Sequence, residues 1–310
     1  MSVIGFDTSN YTTSIAYFDG ISGQNCSRLL PVGDGQLGLR QSDAVFHHTK
    51  SLPELSDRLF SLIETSDITA VSVSTRPRAV EGSYMPCFMV GYSHAKLIAD
   101  LLSVPLYTFS HQQGHVAAAL WSANRLDLIE QPHLAWHLSG GTTELLLVES
   151  GDSGVCCKRI GGTTDISAGQ LIDRTGQMLG LPFPSGKHID ALSVDAVNQD
   201  LFRVKCNVAD FSLSGVQNKV RQYYNNCNDS VETAAYSLRC IIHAIRTATA
   251  NIKKLYPDLP VVFSGGVASN AMLRSSVMEF DPIFAEPHYS TDNAMGIAIL
   301  GYREGERVHG

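Results

Sequence analysis

None of the seven cysteines pairs with another in a C-x-x-C spacing: Cys26, Cys87, Cys156, Cys157, Cys206, Cys227 and Cys240 are scattered and odd in number. That argues against a disulfide framework and fits reduced thiols acting as small apolar filler. The start, Met1 to Asp7, has no basic leader and runs straight into a strand pattern, so no secretory signal is expected and the location read is cytoplasmic. No long apolar run is free of charge. The longest stretch, Tyr84 to Val104, is interrupted by His94, Lys96 and Asp100, which suits a buried helix and not a membrane span. There is no excess of basic residues either. The formal net charge is −7, so general attraction for nucleic acid is weak, and binding it would need a local basic patch or a basic partner. Low-complexity tracts are absent as well.

The chain does have length and a mixed pattern. Its 310 residues, 44% hydrophobic and 17% charged, suffice for one or two core-bearing domains. Residues 2 to 9 read as a buried strand and Thr13 to Phe18 as its hairpin return, with Ser9-Asn10-Tyr11-Thr12 at the turn. The same unit recurs at Leu134 to Val148 around Ser139-Gly140-Gly141-Thr142-Thr143, which points to an internal duplication. Between the copies, helices at Leu52–Glu64 and Tyr84–Leu102 alternate with strands at Thr69–Ser74 and Pro105–Phe109. The segment from Thr75 to Glu81 reads as a loop. An α/β layout with a partly parallel sheet follows. After the second hairpin, helices are expected at Ala168–Gly180, Lys187–Val194, Leu213–Tyr224 and Val231–Leu255, with a short hairpin or an irregular excursion in Phe202–Phe211. A strand Pro260–Phe263, a helix Val267–Glu279, a strand Pro282–Ala285 and a helix Asn293–Glu304 complete the pattern, and Val308–Gly310 reads as a frayed tail.

Several stretches carry chemistry. Ser110-His111-Gln112-Gln113-Gly114-His115 opens a run of helix formers, and at about 1.5 Å rise per residue its two histidines lie roughly 6 Å apart on one face. That spacing lets two imidazoles share one ion, provided a third ligand comes from elsewhere. His133 and His137 repeat the spacing on a predicted strand, where four residues span about 13 Å, too far for one ion. Asp292, in Ser290-Thr291-Asp292-Asn293 ahead of an apolar run, reads as a helix cap or as the missing ligand. The Ser139 to Thr143 turn is a plausible phosphate cradle, and Ser264-Gly265-Gly266, ending a strand and opening a helix, gives the geometry of a nucleotide site with Asn270 in the following turn. Asp173 and Asp190 bracket the loop Gly180 to Gly186, where a carboxylate suits a ribose diol or is simply solvated.

Taken together, D-T-S-N-Y-T-T-S, H-Q-Q-G-H, L-S-G-G-T-T-E-L, S-G-G-V-A-S-N-A-M-L-R and S-T-D-N-A resemble, in order and spacing and nearly end to end, the TsaD/Gcp family. The resemblance implies a duplicated actin-like ATPase (ASKHA) fold, with a nucleotide and metal cleft between an N-terminal lobe, 1–130, and a C-terminal lobe, 131–310, the latter carrying a mostly helical insertion at about 165–230. It implies transfer of a threonylcarbamoyl group from an acyl-adenylate to N6 of the tRNA adenosine beside the anticodon. Carried over by position, His111, His115 and Asp292 would hold one divalent ion, iron or zinc. Ser139, Gly140, Gly141 and Thr142 would face the phosphate and carbamate, and Asp173, Gly186, Asp190 and Asn270 the nucleoside of an adenine nucleotide or acyl-adenylate. TsaB-like and TsaE-like companion proteins and tRNA would be the partners.

Three departures stand out. The family's acids after the first Ser are replaced by Asn10, Tyr11 and Thr12, its S-G-G-H-T histidine by Thr142, and its glycine-rich G-P-G-L loop by Arg76-Pro77-Arg78-Ala79-Val80-Glu81-Gly82. With those acids gone, Asp7 or His47 is the expected catalytic acid or base. A paralogue acting on another acceptor, or serving as a scaffold, is the alternative reading. Gln112 stands where H-E-x-x-H enzymes carry their glutamate, which weighs against a metalloprotease.

Overall fold

The hydrophobic segment after Met1 becomes β1, Ser2–Thr8, whose seven residues are all buried. A strand buried on both faces needs neighbours on both sides, and β1 has them. It pairs antiparallel with β2, Thr12–Phe18, and β2 in turn with β3, Gly23–Leu29. The chain then enters helix α1, Gln41–Phe60, strand β4, Ile68–Arg76, helix α2, Phe88–Leu102, strand β5, Leu106–Ser110, and helix α3, His111–Ser122. β4 runs parallel to β1 and to β5, giving a five-stranded sheet in the order β3-β2-β1-β4-β5. The carboxyl ends of β1, β4 and β5 therefore share one edge, where ligands of α/β sheets gather. The computed structural model describes residues 1–31, 39–151, 154–290 and 292–309.

The second half repeats the plan. β6, His133–Leu138, is antiparallel to β7, Thr143–Gly151, and β8, Gly154–Thr163, follows. Next come α4, Ala168–Met178, α5, Gly186–Ser193, the two-residue strands β9, Cys206–Asn207, and β10, Asp210–Phe211, α6, Ser214–Cys227, and α7, Ser230–Leu255. β11, Val261–Ser264, returns parallel to β6, then α8, Ala271–Ser276, β12, Pro282–Phe284, and finally α9, Met295–His309. The sheet order is β12-β11-β6-β7-β8-β10-β9. Its first five strands, read backwards, reproduce β3-β2-β1-β4-β5, which is the duplication suggested by the two hairpins.

Two compact units result. One comprises Met1–Gln131, Glu149–Cys157 and His288–Gly310, the other Pro132–Val148 and Lys158–Pro287. In the first, Ile4, Phe6, Ile15, Val71 and Val73 pack with Leu52, Leu55 and Leu59 of α1 and Val90, Ala95 and Ala99 of α2. On β1, Gly5 leaves room for α9, since a Cβ there would stand 2.6 Å from the Ala298 nitrogen. In the second, Leu134, Trp136, Leu138, Phe211 and Phe263 form the core with α7, and the buried Trp136 indole donates to Thr249 Oγ1 at 2.9 Å.

The structure corrects several sequence boundaries. α1 starts at Gln41, not Leu52, because Ala44, His48 and Ser51 continue the buried stripe upstream; it ends at Phe60, before Ile63 and Glu64. α2 begins at Phe88, so Pro86 precedes the helix. β3 and β8 have no expected counterpart, and β3 shows why: Cys26 alone of its residues is buried, the mark of an edge strand. The single helix expected over Val267–Glu279 is broken into a 3₁₀ turn, α8 and a second 3₁₀ turn, because Asn270 turns extended and its side chain caps the Leu273 N–H. α9 continues through Val308 to His309; Gly310 lies outside the described residues, as does Thr291.

Candidate functional site

At the shared strand edge of the first unit, β5 passes directly into α3 at Ser110. Its hydroxyl accepts the Gln113 N–H, and Gln113 Oε1 accepts the Ser110 N–H at 2.7 Å, a reciprocal cap that fixes the first turn of the helix. Just inside that turn, His111 and His115 converge, their Nε2 atoms 2.9 Å apart. Asp292 Oδ1 lies 3.2 Å from His115 Nε2 and 3.5 Å from His111 Nε2. One donor atom from each of the three lies within 4.8 Å of the others. The capping role open to Asp292 falls instead to Asn293, whose Oδ1 accepts the Met295 N–H at 3.1 Å.

The residues behind these three fix their orientation. Asp7, buried at the end of β1, accepts the Ser9 N–H on Oδ1 and meets His111 Nδ1 with Oδ2 at 2.7 Å. A carboxylate on the far nitrogen sets the imidazole's tautomer and aims Nε2 at the ion position, the arrangement usual behind metal-binding histidines. Ser9 Oγ donates to Asp292 Oδ2 at 3.3 Å. Burial works against a charged His111, but the Asp7 carboxylate and then Asp292 outweigh it and hold the imidazole's pKa up to about 10. Against the push of burial, hydrogen bonds from His111 and His115 hold the Asp292 carboxyl well below the usual range. Two carboxylates, Asp7 and Asp292, thus face the two imidazoles. Two imidazoles and a carboxylate, with no thiolate, suit zinc or ferrous iron, and three protein ligands leave positions open for a substrate.

His47, named beside Asp7 from the sequence, lies half-buried with its ring 5.5 Å from that of Phe46, and forms no hydrogen bond among the described residues. The neighbouring His48 is the one turned inward: fully buried, with Nδ1 2.8 Å from Thr13 Oγ1. Burial brings its pKa down to about 4. Stepping back by four from the buried Leu52 reaches His48 and Ala44, a periodicity that marks His48 once the helix is known to extend upstream. Ser9 had no comparable sequence signal, because its contact with Asp292 spans 283 residues.

In the second unit, the Ser139–Thr142 turn is closed by the Ser139 N–H to the Thr142 carbonyl at 2.8 Å and the Thr142 N–H to Ser139 Oγ at 3.1 Å. A Cβ on Gly140 or Gly141 would meet nothing within 4 Å, so the space before the turn is open. Ser167 Oγ donates to the Gly140 carbonyl at 2.6 Å, joining the turn to the start of α4. Further along α4, Asp173 accepts the Ser185 N–H at 2.8 Å, directly ahead of Gly186, the first residue of α5. Burial raises the Asp173 pKa. From α5, Asp190 Oδ1 accepts Asn270 Nδ2 at 2.8 Å. Asn270 follows the turn Ser264-Gly265-Gly266, where Gly265 has φ +93° and a Cβ would fall 2.2 Å from the Leu138 carbonyl, so only glycine fits. Asp173 thus holds the residue before α5, α5 carries Asp190 to Asn270, and Ser167 joins the Ser139 turn to the helix that carries Asp173.

A repeated sheet plan with polar turns at both hairpins defines the class: the actin-like ATPase fold. Solved structures agree. Full-length HypF in its phosphate- and nucleotide-bound form matches 100% of this chain and 47% of its own length with a TM-score of 0.63 at 12% identity. The ROK hexokinase of Thermus thermophilus matches 99% and 100% with a TM-score of 0.52 at 15% identity. These likenesses speak for the fold alone. The family follows from sequence. A family model described as TsaD, tRNA N6-adenosine threonylcarbamoyltransferase, matches residues 38–299, and the chain belongs to that family. Proteins of that name from Streptococcus suis (strain 05ZYH33) and Sulfurihydrogenibium sp. (strain YO3AOP1) are respectively 31% identical over 78% of this chain and 72% of the relative, and 29% identical over 98% and 90%. Nucleotide and metal binding go with the family. No helix among the described residues is long and apolar enough to cross a membrane.

Proposed function

We propose that this chain transfers a threonylcarbamoyl group from an acyl-adenylate to N6 of the tRNA adenosine beside the anticodon, with a divalent ion, zinc or iron, held by His111, His115 and Asp292. The observation that carries this is the convergence of those three side chains, oriented by Asp7 and Ser9, in a chain of the TsaD family. Bound there, the ion would supply Lewis-acid polarisation and a template for the acyl carbonyl. Asp7 keeps the His111 tautomer, and Ser9 steadies the Asp292 carboxylate. In the second unit, Asp190 and Asn270 offer an acceptor and a donor to the ribose, Asp173 holds the loop before Gly186, and the Ser139–Thr142 turn offers backbone N–H groups to the phosphate and to oxyanion charge that develops as AMP leaves. His47 is given no step. The family match favours this reading over a paralogue with another acceptor. We place the reaction in the cytoplasm and expect it to require TsaB-like and TsaE-like companions.

The test is reconstitution with threonine, bicarbonate, ATP, tRNA, an adenylate-forming enzyme and the companion proteins of the source organism. Nucleoside mass spectrometry should find threonylcarbamoyladenosine, and His115→Ala should abolish both product and bound metal. Absence of product from a metal-loaded, nucleotide-binding protein would overturn the proposal.

A further inference from the structure

The loop after β4 puts fixed positive charge on the strand edge that carries the three candidate metal ligands. Arg76, the last residue of β4, is exposed, and its Cα is paired with that of Ser110, the residue before His111. It forms no ion pair among the described residues. The Pro77 carbonyl accepts the Gln112 N–H at 3.0 Å, tying the loop to the first turn of α3. The Arg78 N–H donates to Ser83 Oγ at 3.0 Å, and the Ser83 N–H to the Val80 carbonyl at 3.2 Å, so the loop folds back on itself with the Arg78 side chain exposed. Tyr84, 64% exposed, follows, and Tyr11, 40% exposed, stands on the β1–β2 turn at the same edge. Glu81 is the one acid in the loop. Two guanidinium groups and an exposed phenol ring are the chemistry that holds a nucleic acid strand, through its phosphates and by base stacking. They occur here in a chain whose net charge of −7 otherwise repels it.

We propose that Arg76 and Arg78 bind phosphodiester groups of the RNA acceptor beside the metal centre, with Tyr84 offering its ring to an unpaired base. This rests on the reading that the acceptor is tRNA. The loop therefore sets the acceptor's position, while the acyl donor is held by other residues.

The test uses the full chain with its companion proteins and an anticodon stem-loop RNA, with affinity measured over a salt series. Arg76→Gln and Arg78→Gln should each flatten the slope of log K against log salt by about 0.7 to 0.9, one phosphate contact apiece. Arg76→Lys should keep the slope, and Tyr84→Leu should weaken binding about tenfold at an unchanged slope. The KM for the acyl-adenylate should stay at the wild-type value in all four. Unchanged slopes in both glutamine variants, with wild-type melting temperatures, overturn the inference. So does a rise in the KM for the adenylate with RNA affinity intact, which would give the arginines to the donor's anion. If the wild-type protein makes no modified adenosine, the functional reading itself falls and this inference with it; if it does and the slopes do not move, only the inference falls.

Discussion

Replacing Gly296 by Ala tests whether helix packing sets the metal geometry. Gly296 is the second residue of α9, four residues after Asp292, and Gly114 lies on α3 between His111 and His115. A Cβ at Gly296 would stand 1.8 Å from the Gly114 carbonyl oxygen and 2.8 Å from the Ala118 nitrogen, where ordinary contact begins at 3.4 Å. Both obstacles are backbone, so no side chain can rotate away and α9 must retreat from α3 by about 1.6 Å, the difference between those two distances. Asp292 is tied to α9 and the histidines to α3, while metal–ligand distances tolerate about 0.2 Å. The expected outcome is therefore twofold. Overpacking costs about 1–3 kcal/mol, which lowers the melting temperature by about 2–12 °C for a unit of this size. Stoichiometric metal is lost as well, read by elemental analysis after loading and desalting. The control is Gly215→Ala in α6, where a Cβ meets nothing within 4 Å and stability should hold or rise by up to about 1 kcal/mol. A Gly296→Ala protein that melts like wild type and retains one ion would refute the argument.

Three further outcomes follow from the same geometry. With the metal-free pKa of His111 held up to about 10, metal binding at pH 8 must expel its proton. Titration calorimetry in buffers of different ionisation enthalpy should show that release, along with affinity that weakens as pH falls; heats that do not depend on the buffer would count against it. His48 has the opposite sign. Burial lowers its pKa to about 4, so between pH 6.5 and 4 the unfolded chain takes up a proton that the folded one refuses, and about 3 kcal/mol of stability is lost across that window. Urea melts of His48→Gln should lack this acid limb. Asn270→Ala removes the donor to Asp190 and the cap of α8, and should cost about 1 kcal/mol of stability and weaken AMP about tenfold or more; an unchanged Kd would remove Asn270 from the nucleotide site.

The elements legible in the sequence were those whose burial repeats locally. β1 and β6 read as strands because short apolar runs, Val3 to Phe6 and Leu134 to Trp136, stand directly before turn residues, and the turns because glycine and hydroxyl residues cluster there. β3 was not legible, since an edge strand with one buried residue has no period to read. The break at Asn270 was hidden because a residue that caps one helix looks, in one dimension, like a polar position inside a longer one. Asp292 could be suspected of binding metal but not separated from a cap, and only the Asn293 side chain turning to the Met295 N–H frees it.

The altered first turn shows what such substitutions can preserve. Where the resemblance leads one to expect carboxylates, Gln41 Nε2 donates to Asn10 Oδ1 at 2.5 Å, and Gln41 Oε1 accepts the Cys87 N–H at 3.3 Å. Thr8 Oγ1 donates to the Cys87 carbonyl and accepts the Gly91 N–H. At Asn10 the turn is thus tied to α1, and through Gln41 to the start of α2, by neutral groups, while Ser9 keeps its bonds to the Asp7 and Asp292 carboxylates. Asp7 and Asp292 carry the negative charge that the histidines meet, and Asp7 is already engaged by His111. Proton removal from an attacking amine then falls to a group outside this turn, or to solvent water, which takes the proton once the nitrogen has bonded to the acyl carbon and become cationic and acidic. The second route needs no protein base, which is how a chain without the family's acids can keep the reaction: it must orient the donor and hold the acceptor, and the charge at the loop after β4 is placed for the latter.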